Sequence, residues 1–213
     1  MNNKGIVMLF IISGPSGCGK STLVHQARNK IKDLRFSVSH TTRKKRDSEK
    51  NGEDYYFVSK QEFRNMVKAG KMVEWAMVHG KMYGTSRREI ERKSYQGDLI
   101  LDIDIQGAQQ LKEKFRKAVF IFILPPSYNE LKKRLEKRGE ESLRSIQKRL
   151  ETARREIRSY SEFDYIVVND KIETALQELT SIILSVRCRI EVRQKEIGSI
   201  IRTFNQQKRD YYE

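Results

Sequence analysis

The clearest chemistry lies near the start of the chain, where Gly14, Pro15, Ser16, Gly17, Cys18, Gly19, Lys20 and Ser21 spell G-x-x-x-x-G-K-S and Thr22 follows. That spacing is the one a phosphate-cradling loop requires. Glycines let backbone N–H groups turn inward onto phosphate oxygens, and a helix opening at Lys20 adds the positive end of its dipole. Lys20 would then reach the β and γ phosphates of a nucleoside triphosphate, and Ser21 would offer its hydroxyl to Mg2+. A Gly-rich turn with no ligand is the plain alternative, and the flanking apolar run and helical pattern argue against it. Cys18 reads as a small filler, since no base lies near it in sequence to activate it.

A second signal is the run 99–104, Leu-Ile-Leu-Asp-Ile-Asp, in which an acidic residue ends an apolar strand. Beside a phosphate loop, Asp102 is the natural carboxylate for the Mg2+ shell, partly through water. Without that loop it would be an ordinary Asp at a strand end.

The elements that must position these groups follow from periodicity. Apolar runs at 6–12, 99–105, 119–124 and 165–168 lack polar alternation and predict buried parallel strands. Between them the spacing is helical: Leu23, Ala27 and Ile31; Leu131 and Leu135 after the Pro125-Pro126 stop; then Leu143, Ile146, Leu150, Ala153 and Ile157. Strands alternating with helices predict an α/β fold with a parallel sheet covered on both faces. Residues 36–92 break the rhythm, being rich in Tyr and Gly and basic at 43–46, and predict an insertion with its own small sheet. Ile172, Leu176, Leu179, Ile183, Val186 and Ile190 predict one long amphipathic helix, packed on the core or, less simply, forming a dimer seam.

The chain of 213 residues holds 43 Lys plus Arg against 28 Asp plus Glu, a net charge of +15 that favours polyanionic partners. Lys4 before the run 6–12 resembles a short signal peptide, but seven apolar residues leading into Ser13-Gly14-Pro15 fit a buried strand better. Only Cys18 and Cys188 are present, at no metal-ligand or disulfide spacing, and both are expected as reduced thiols in the cytoplasm. His25, His40 and His79 form no constellation suited to base catalysis. There is no aromatic-basic platform for RNA and no membrane span, so neither specific nucleic-acid nor membrane binding is expected.

On eight words in order, the chain resembles the guanylate kinase family over nearly its whole length: SGPSGCGKST at 13–22, SVSHTTR at 37–43, NGEDY at 51–55 with YFVS at 56–59, EWA at 74–76 with YGTS at 83–86, LDIDIQG at 101–107, KRL at 133–135 with RG at 138–139, KRL at 148–150, and VND at 168–170. The resemblance implies a P-loop core (1–36, 93–131 and 157–190), a GMP-binding insertion (37–92), a helical lid (132–156) and a basic C-terminal helical extension (191–213). It implies that Arg43, Arg46, Tyr55 and Tyr83 hold the GMP phosphate, which two guanidinium forks and two phenols suit. Ser39, Glu74, Thr85 and Asp104 would face guanine, whose N1–H and N2–H2 donors call for carboxylates and whose O6 accepts from a hydroxyl.

By the same resemblance Arg134, Arg138 and Arg149 on the lid line the transferring phosphoryl group with Lys20, where cations offset phosphate repulsion. Asn169 would contact the adenine of ATP. The implied activity is transfer of the γ-phosphoryl of MgATP to GMP, and to dGMP, with ATP and GMP as the partners; monomer and homo-oligomer both fit the sequence. Lys44, Lys45, Asp47 and Ser48 depart from the family's usual residues, which predicts a looser phosphate loop. Two alternatives are a kinase of another phosphorylated small molecule and a non-catalytic guanylate-kinase-like interaction module; the retained P-loop, Glu74 and Asp104 argue against both.

Overall fold

The structure, a computed structural model, describes residues 6–137 and 143–210. From the N-terminus, β1 (Leu9–Ser13) leads through the phosphate loop into α1 (Lys20–Lys30) and back to β2 (Leu34–Phe36). Then come β3 (Ser39–Thr41), β4 (Tyr55–Phe57), α2 (Lys60–Lys68), the hairpin β5 (Met72–Val78) and β6 (Lys81–Ser86), and α3 (Arg87–Ser94). The chain returns with β7 (Asp98–Asp102), α4 (Ile105–Lys114) and β8 (Val119–Leu124), and continues through α5 (Tyr128–Lys137) and α6 (Leu143–Glu156). A 3-10 segment, Ile157–Glu162, precedes β9 (Tyr165–Val168), α7 (Ile172–Arg187) and α8 (Ile190–Asp210).

The main sheet runs β2-β7-β1-β8-β9 with every pair parallel. Its central strand is buried on both faces. Phe10 and Ile12 pack with Leu23, Ala27, Leu176, Leu179 and Ile183 of α1 and α7, while Ile11 faces Ile90, Ala108 and Leu111 of α3 and α4. A strand covered by helices on both sides has no reason to alternate polar and apolar residues, as the sequence of β1 and β8 reflects.

Two strands end differently from expectation. The run 6–12 yields a strand that begins only at Leu9, and the run 99–105 stops at Asp102 because Asp104 caps the next helix, its Oδ1 accepting from the Gly107 N–H at 2.7 Å. The single helix expected through Ile190 is broken at Cys188. Ala175, Leu176, Leu179, Ile183 and Val186 are core residues, so α7 is a packed core helix rather than a seam, but Ile190 is 73% exposed. At the break Arg187 ties the last turn of α7 to the body, its Nε donating to Asp98 Oδ2 at 2.7 Å and a terminal nitrogen to Lys32 O at 2.9 Å.

A second sheet runs β4-β3-β6-β5, with β3 and β4 parallel and the β5–β6 hairpin antiparallel. The hairpin turns at His79 and Gly80, both at positive φ of 47° and 75°, the pattern of a tight primed turn that keeps the strands' twist. Phe63 of α2, which starts with a Ser59/Glu62 capping box, fills the space under Met72 and Met82. Helices α5 and α6 share a cluster of their own, Leu131, Leu135, Ile146, Leu150 and Ala153. Among the described residues no helix is long and apolar enough to cross a membrane.

Candidate active site

A cavity of 610 Å3 lies between the two sheets, lined by the phosphate loop, the inner face of the second sheet and the end of α6. Its floor is built by β1, which delivers the chain at Ser13 to a loop with Gly14, Gly17 and Gly19 at φ of 143°, 93° and 93°. Those conformations are closed to residues with a Cβ at little cost, so the glycines fix the loop path. Lys20 is folded into the loop, donating to Gly14 O at 2.6 Å and Pro15 O at 3.1 Å. Burial works against its charge, but the field of the acidic groups around it, Asp102, Glu156 and Asp104 among them, outweighs it and holds the ammonium protonated.

Ser21 Oγ donates to Asp102 Oδ2 at 2.7 Å, brought together because β1 and β7 are parallel neighbours with Ile12 opposite Asp102. A hydroxyl and one carboxylate beside a phosphate cradle fit Mg2+, which takes few protein oxygens and leaves its other positions to phosphate and water. Burial raises the Asp102 carboxyl above its usual range, with Lys20 and Ser21 pulling the other way. Cys18 is fully buried and its thiol is pushed up by that burial, so it stays protonated and inert. Asn169 is also buried; its Nδ2 donates to Cys18 O at 2.7 Å, so its side chain braces the loop from behind.

On the opposite wall Arg43 and Arg46 come from the segment after β3, and Tyr55 and Tyr83 from β4 and β6. The two phenol rings meet edge to face, centroids 5.9 Å apart, and Arg43 lies 5.4 Å from the Tyr55 ring. Glu49, absent from the expected set, accepts from both terminal nitrogens of Arg43 and from the Arg46 backbone. Lys45 donates to the carbonyls of Arg46 and Glu49 at 3.2 and 2.8 Å. The loop that the unusual residues 44–48 led us to expect loose is therefore cross-tied, and one of those residues does the tying.

On the cavity wall Ser39 shares a hydrogen bond of 3.1 Å with the fully buried Thr85, which is paired with Glu74 across the β5–β6 hairpin. Glu74 is 3% exposed and its Oε1 is buried with no hydrogen-bond partner. Burial pushes its carboxyl up to about 7, with hydrogen bonding from Thr85 opposing and the nearby Asp104 charge reinforcing. A buried carboxylate oxygen without a partner is costly, and a donor-bearing ligand edge reaching this wall would satisfy it.

From the α5–α6 pair, Arg149 is 8% exposed and donates to Ser16 Oγ of the loop at 2.6 Å. Arg134 instead bonds Glu130 at 2.9 Å and the carbonyls of Asn169 and Asp170 at 2.9 and 3.4 Å, away from the cavity wall. Arg138 lies outside the described residues. Two further groups line the cavity that sequence reasoning missed, Glu49 and Glu156. Burial raises the Glu156 carboxyl, with Lys20 opposing. Neither has a local sequence signal: each is one acidic residue among many until folding sets it beside Arg43 or the loop.

The family model described as "Guanylate kinase" matches residues 7–186. A guanylate kinase of Geobacter metallireducens is 51% identical over 190 residues, covering 89% of this chain and 93% of its own. One from Thermotoga maritima is 44% identical, covering 89% and 92%. The crystal structure of guanylate kinase from Anaplasma phagocytophilum superposes with a TM-score of 0.76 at 32% identity, covering 91% of this chain and 94% of that one.

Proposed function

The chain belongs to the guanylate kinase family, and on that premise we propose how its residues transfer the γ-phosphoryl group of ATP to GMP, giving ADP and GDP. Glu74 carries the choice of acceptor. Its side chain lines the cavity that Lys20 also lines, and one of its carboxylate oxygens is buried without a hydrogen-bond partner. Guanine offers N1–H and N2–H2 to such a group, whereas adenine presents an unprotonated N1 and no 2-amine. A site built to pair with substrate donors rejects the analogue lacking them by ~10⁴ or more.

The acceptor phosphate would lie against Arg43, Arg46, Tyr55 and Tyr83, with Ser39, Thr85, Glu74 and Asp104 around the base. The donor triphosphate would lie along the loop from Gly14 to Thr22. A GMP phosphate oxygen, already ionised, attacks the γ phosphorus. A new P–O bond forms, the bond to the β-bridging oxygen breaks, and that electron pair leaves on ADP. No general base is needed. Lys20 and Arg149 are the cations placed at the loop for the charge that spreads over the transferring group. Ser21 and Asp102 would hold Mg2+, which when bound neutralises phosphate charge.

Arg134 and Arg138 are assigned to the lid, with Arg134 positioned by the 169–170 carbonyls. Asn169 would meet the adenine side of the donor from its place behind Cys18. Purified protein given MgATP and each of GMP, dGMP, AMP and CMP tests the proposal. GMP and dGMP are expected to be phosphorylated; AMP or CMP turned over as fast as GMP would overturn it.

A further inference from the structure

We infer that Gly107 is a positioning residue for guanine selectivity: by lacking a side chain it lets α4 close onto the Glu74 carboxylate, while its N–H holds Asp104. The inference rests on the assignment of Glu74 and Asp104 to the base. Gly107 is buried in the first turn of α4. Glycine within a helix is unfavourable relative to alanine, so its presence calls for a local reason. A Cβ built there would fall inside contact distance of Glu74 Oε2, 3.1 Å from Glu74 Cδ and 3.1 Å from Asp104 Oδ1. Its N–H donates to Asp104 Oδ1 at 2.7 Å. One residue therefore touches both carboxylates, one through its backbone and the other through the space it leaves.

The two contacts separate on substitution. Alanine keeps the N–H, so Asp104 keeps its hydrogen bond, its Oδ1 giving a few tenths of an ångström to the new methyl group. The methyl group meets the far end of a flexible glutamate side chain, and turning that end aside, at the expense of its Thr85 hydrogen bond, relieves the clash without moving backbone. Gly107→Ala should thus fold and bind ATP normally while aiming Glu74 away from the base. The geometry predicts a loss of selectivity in place of a loss of structure.

The test compares GMP with IMP, which keeps O6 and N1–H but lacks the 2-amino group. Gly107→Ala is expected to lower kcat/KM for GMP by ~10- to 100-fold, the scale of one hydrogen bond to a charged group. It should shrink the GMP-over-IMP ratio and leave KM for ATP and the melting temperature close to the parent's. On a Glu74→Gln background the same change should cost little more, since both act through one carboxylate. Glu74→Asp, one methylene shorter, should restore part of the GMP preference to the alanine variant. An unchanged GMP-to-IMP ratio, or full additivity with Glu74→Gln, would overturn the inference. If the parent protein itself fails to prefer GMP, the guanine assignment falls; if the parent prefers GMP and Glu74→Gln loses that preference while Gly107→Ala does not, only the role of Gly107 falls. Should the alanine variant melt early, the Asp rescue still decides: recovery of selectivity supports the inference and its absence overturns it.

Discussion

The guanidinium of Arg43 grips the carboxylate of Glu49 with both terminal nitrogens, at 2.9 and 2.6 Å, while the Arg46 N–H donates to the same carboxylate at 2.8 Å. One acidic side chain thereby fixes the direction of one phosphate-facing arginine and the backbone of the other. A neutral amide cannot accept both arms of the fork. Glu49→Gln is expected to raise KM for GMP by ~10-fold, the scale of a single charge-assisted hydrogen bond, with KM for ATP unchanged in steady-state kinetics. A fall in KM for GMP would mean that Glu49 competes with the phosphate instead of preparing its site.

Lys20 gives a contrasting case, because its contacts are to loop carbonyls and its charge is buried. Replacement by Met keeps the length of the stem and removes the ammonium. We expect kcat to fall by at least ~10²- to 10³-fold, as for loss of one preorganised donor at a developing anion. The melting temperature should fall by a few degrees, since the Gly14 and Pro15 carbonyls lose their donor and the buried Asp102 carboxylate loses its counter-charge. Single-turnover assays beside a thermal melt separate the two effects; equal loss of stability and rate would argue that Lys20 only supports the loop.

The parts of this fold that were legible in sequence are those with local causes. The phosphate loop is a run of eight residues whose spacing states its own geometry, and the strand Val119–Leu124 is apolar throughout because helices cover both its faces. Ser21 and Asp102 were each legible as Mg2+ ligands from their motifs, but their pairing rests on β7 lying beside β1, an order that alternation of strands and helices does not fix. What escaped depended on distant contacts. No Gly or Pro near Cys188 announces a helix end, and the anchor found there, Arg187 on Asp98, joins residues 89 apart in sequence. Glu49 and Glu156 gain meaning only from what folding sets beside them. Lys45 read as a source of looseness because it departs from the family's usual residue, and its bonds to the Arg46 and Glu49 carbonyls exist only in the folded loop.

Asn169 braces the loop through one hydrogen bond, Nδ2 to Cys18 O at 2.7 Å, in a buried setting. Asn169→Ala would leave that carbonyl unsatisfied, a cost of ~1–3 kcal/mol. The expected result is a lower melting temperature together with a several-fold rise in KM for ATP, at unchanged KM for GMP. Calorimetry and kinetics on the same preparation check both. A rise in KM for ATP with no change in stability would favour direct contact with the donor base over bracing.

The carboxyl of Glu74, raised by burial to about 7, makes two opposite pH dependences. An unfolded glutamate ionises near 4.3. Between that value and about 7 the folded protein holds a proton that the unfolded chain has released, so stability without substrate declines as pH rises through this window. Asp104 faces the same space, is itself raised by burial, and acts in the same direction, while Lys114 opposes. Binding runs the other way. Guanine donors need the ionised carboxylate, so GMP should bind more weakly as pH falls below about 7, with a proton released on binding. The second ionisation of the GMP phosphate, near 6, adds its own step. Glu74→Gln separates them: the variant should retain the phosphate step, lose the one near 7, and bind GMP weakly at every pH. Titration of GMP affinity from pH 5.5 to 8.5 in parent and variant, with proton uptake followed in two buffers, measures this. An identical pH profile in both proteins would show that Glu74 does not meet the base as an anion.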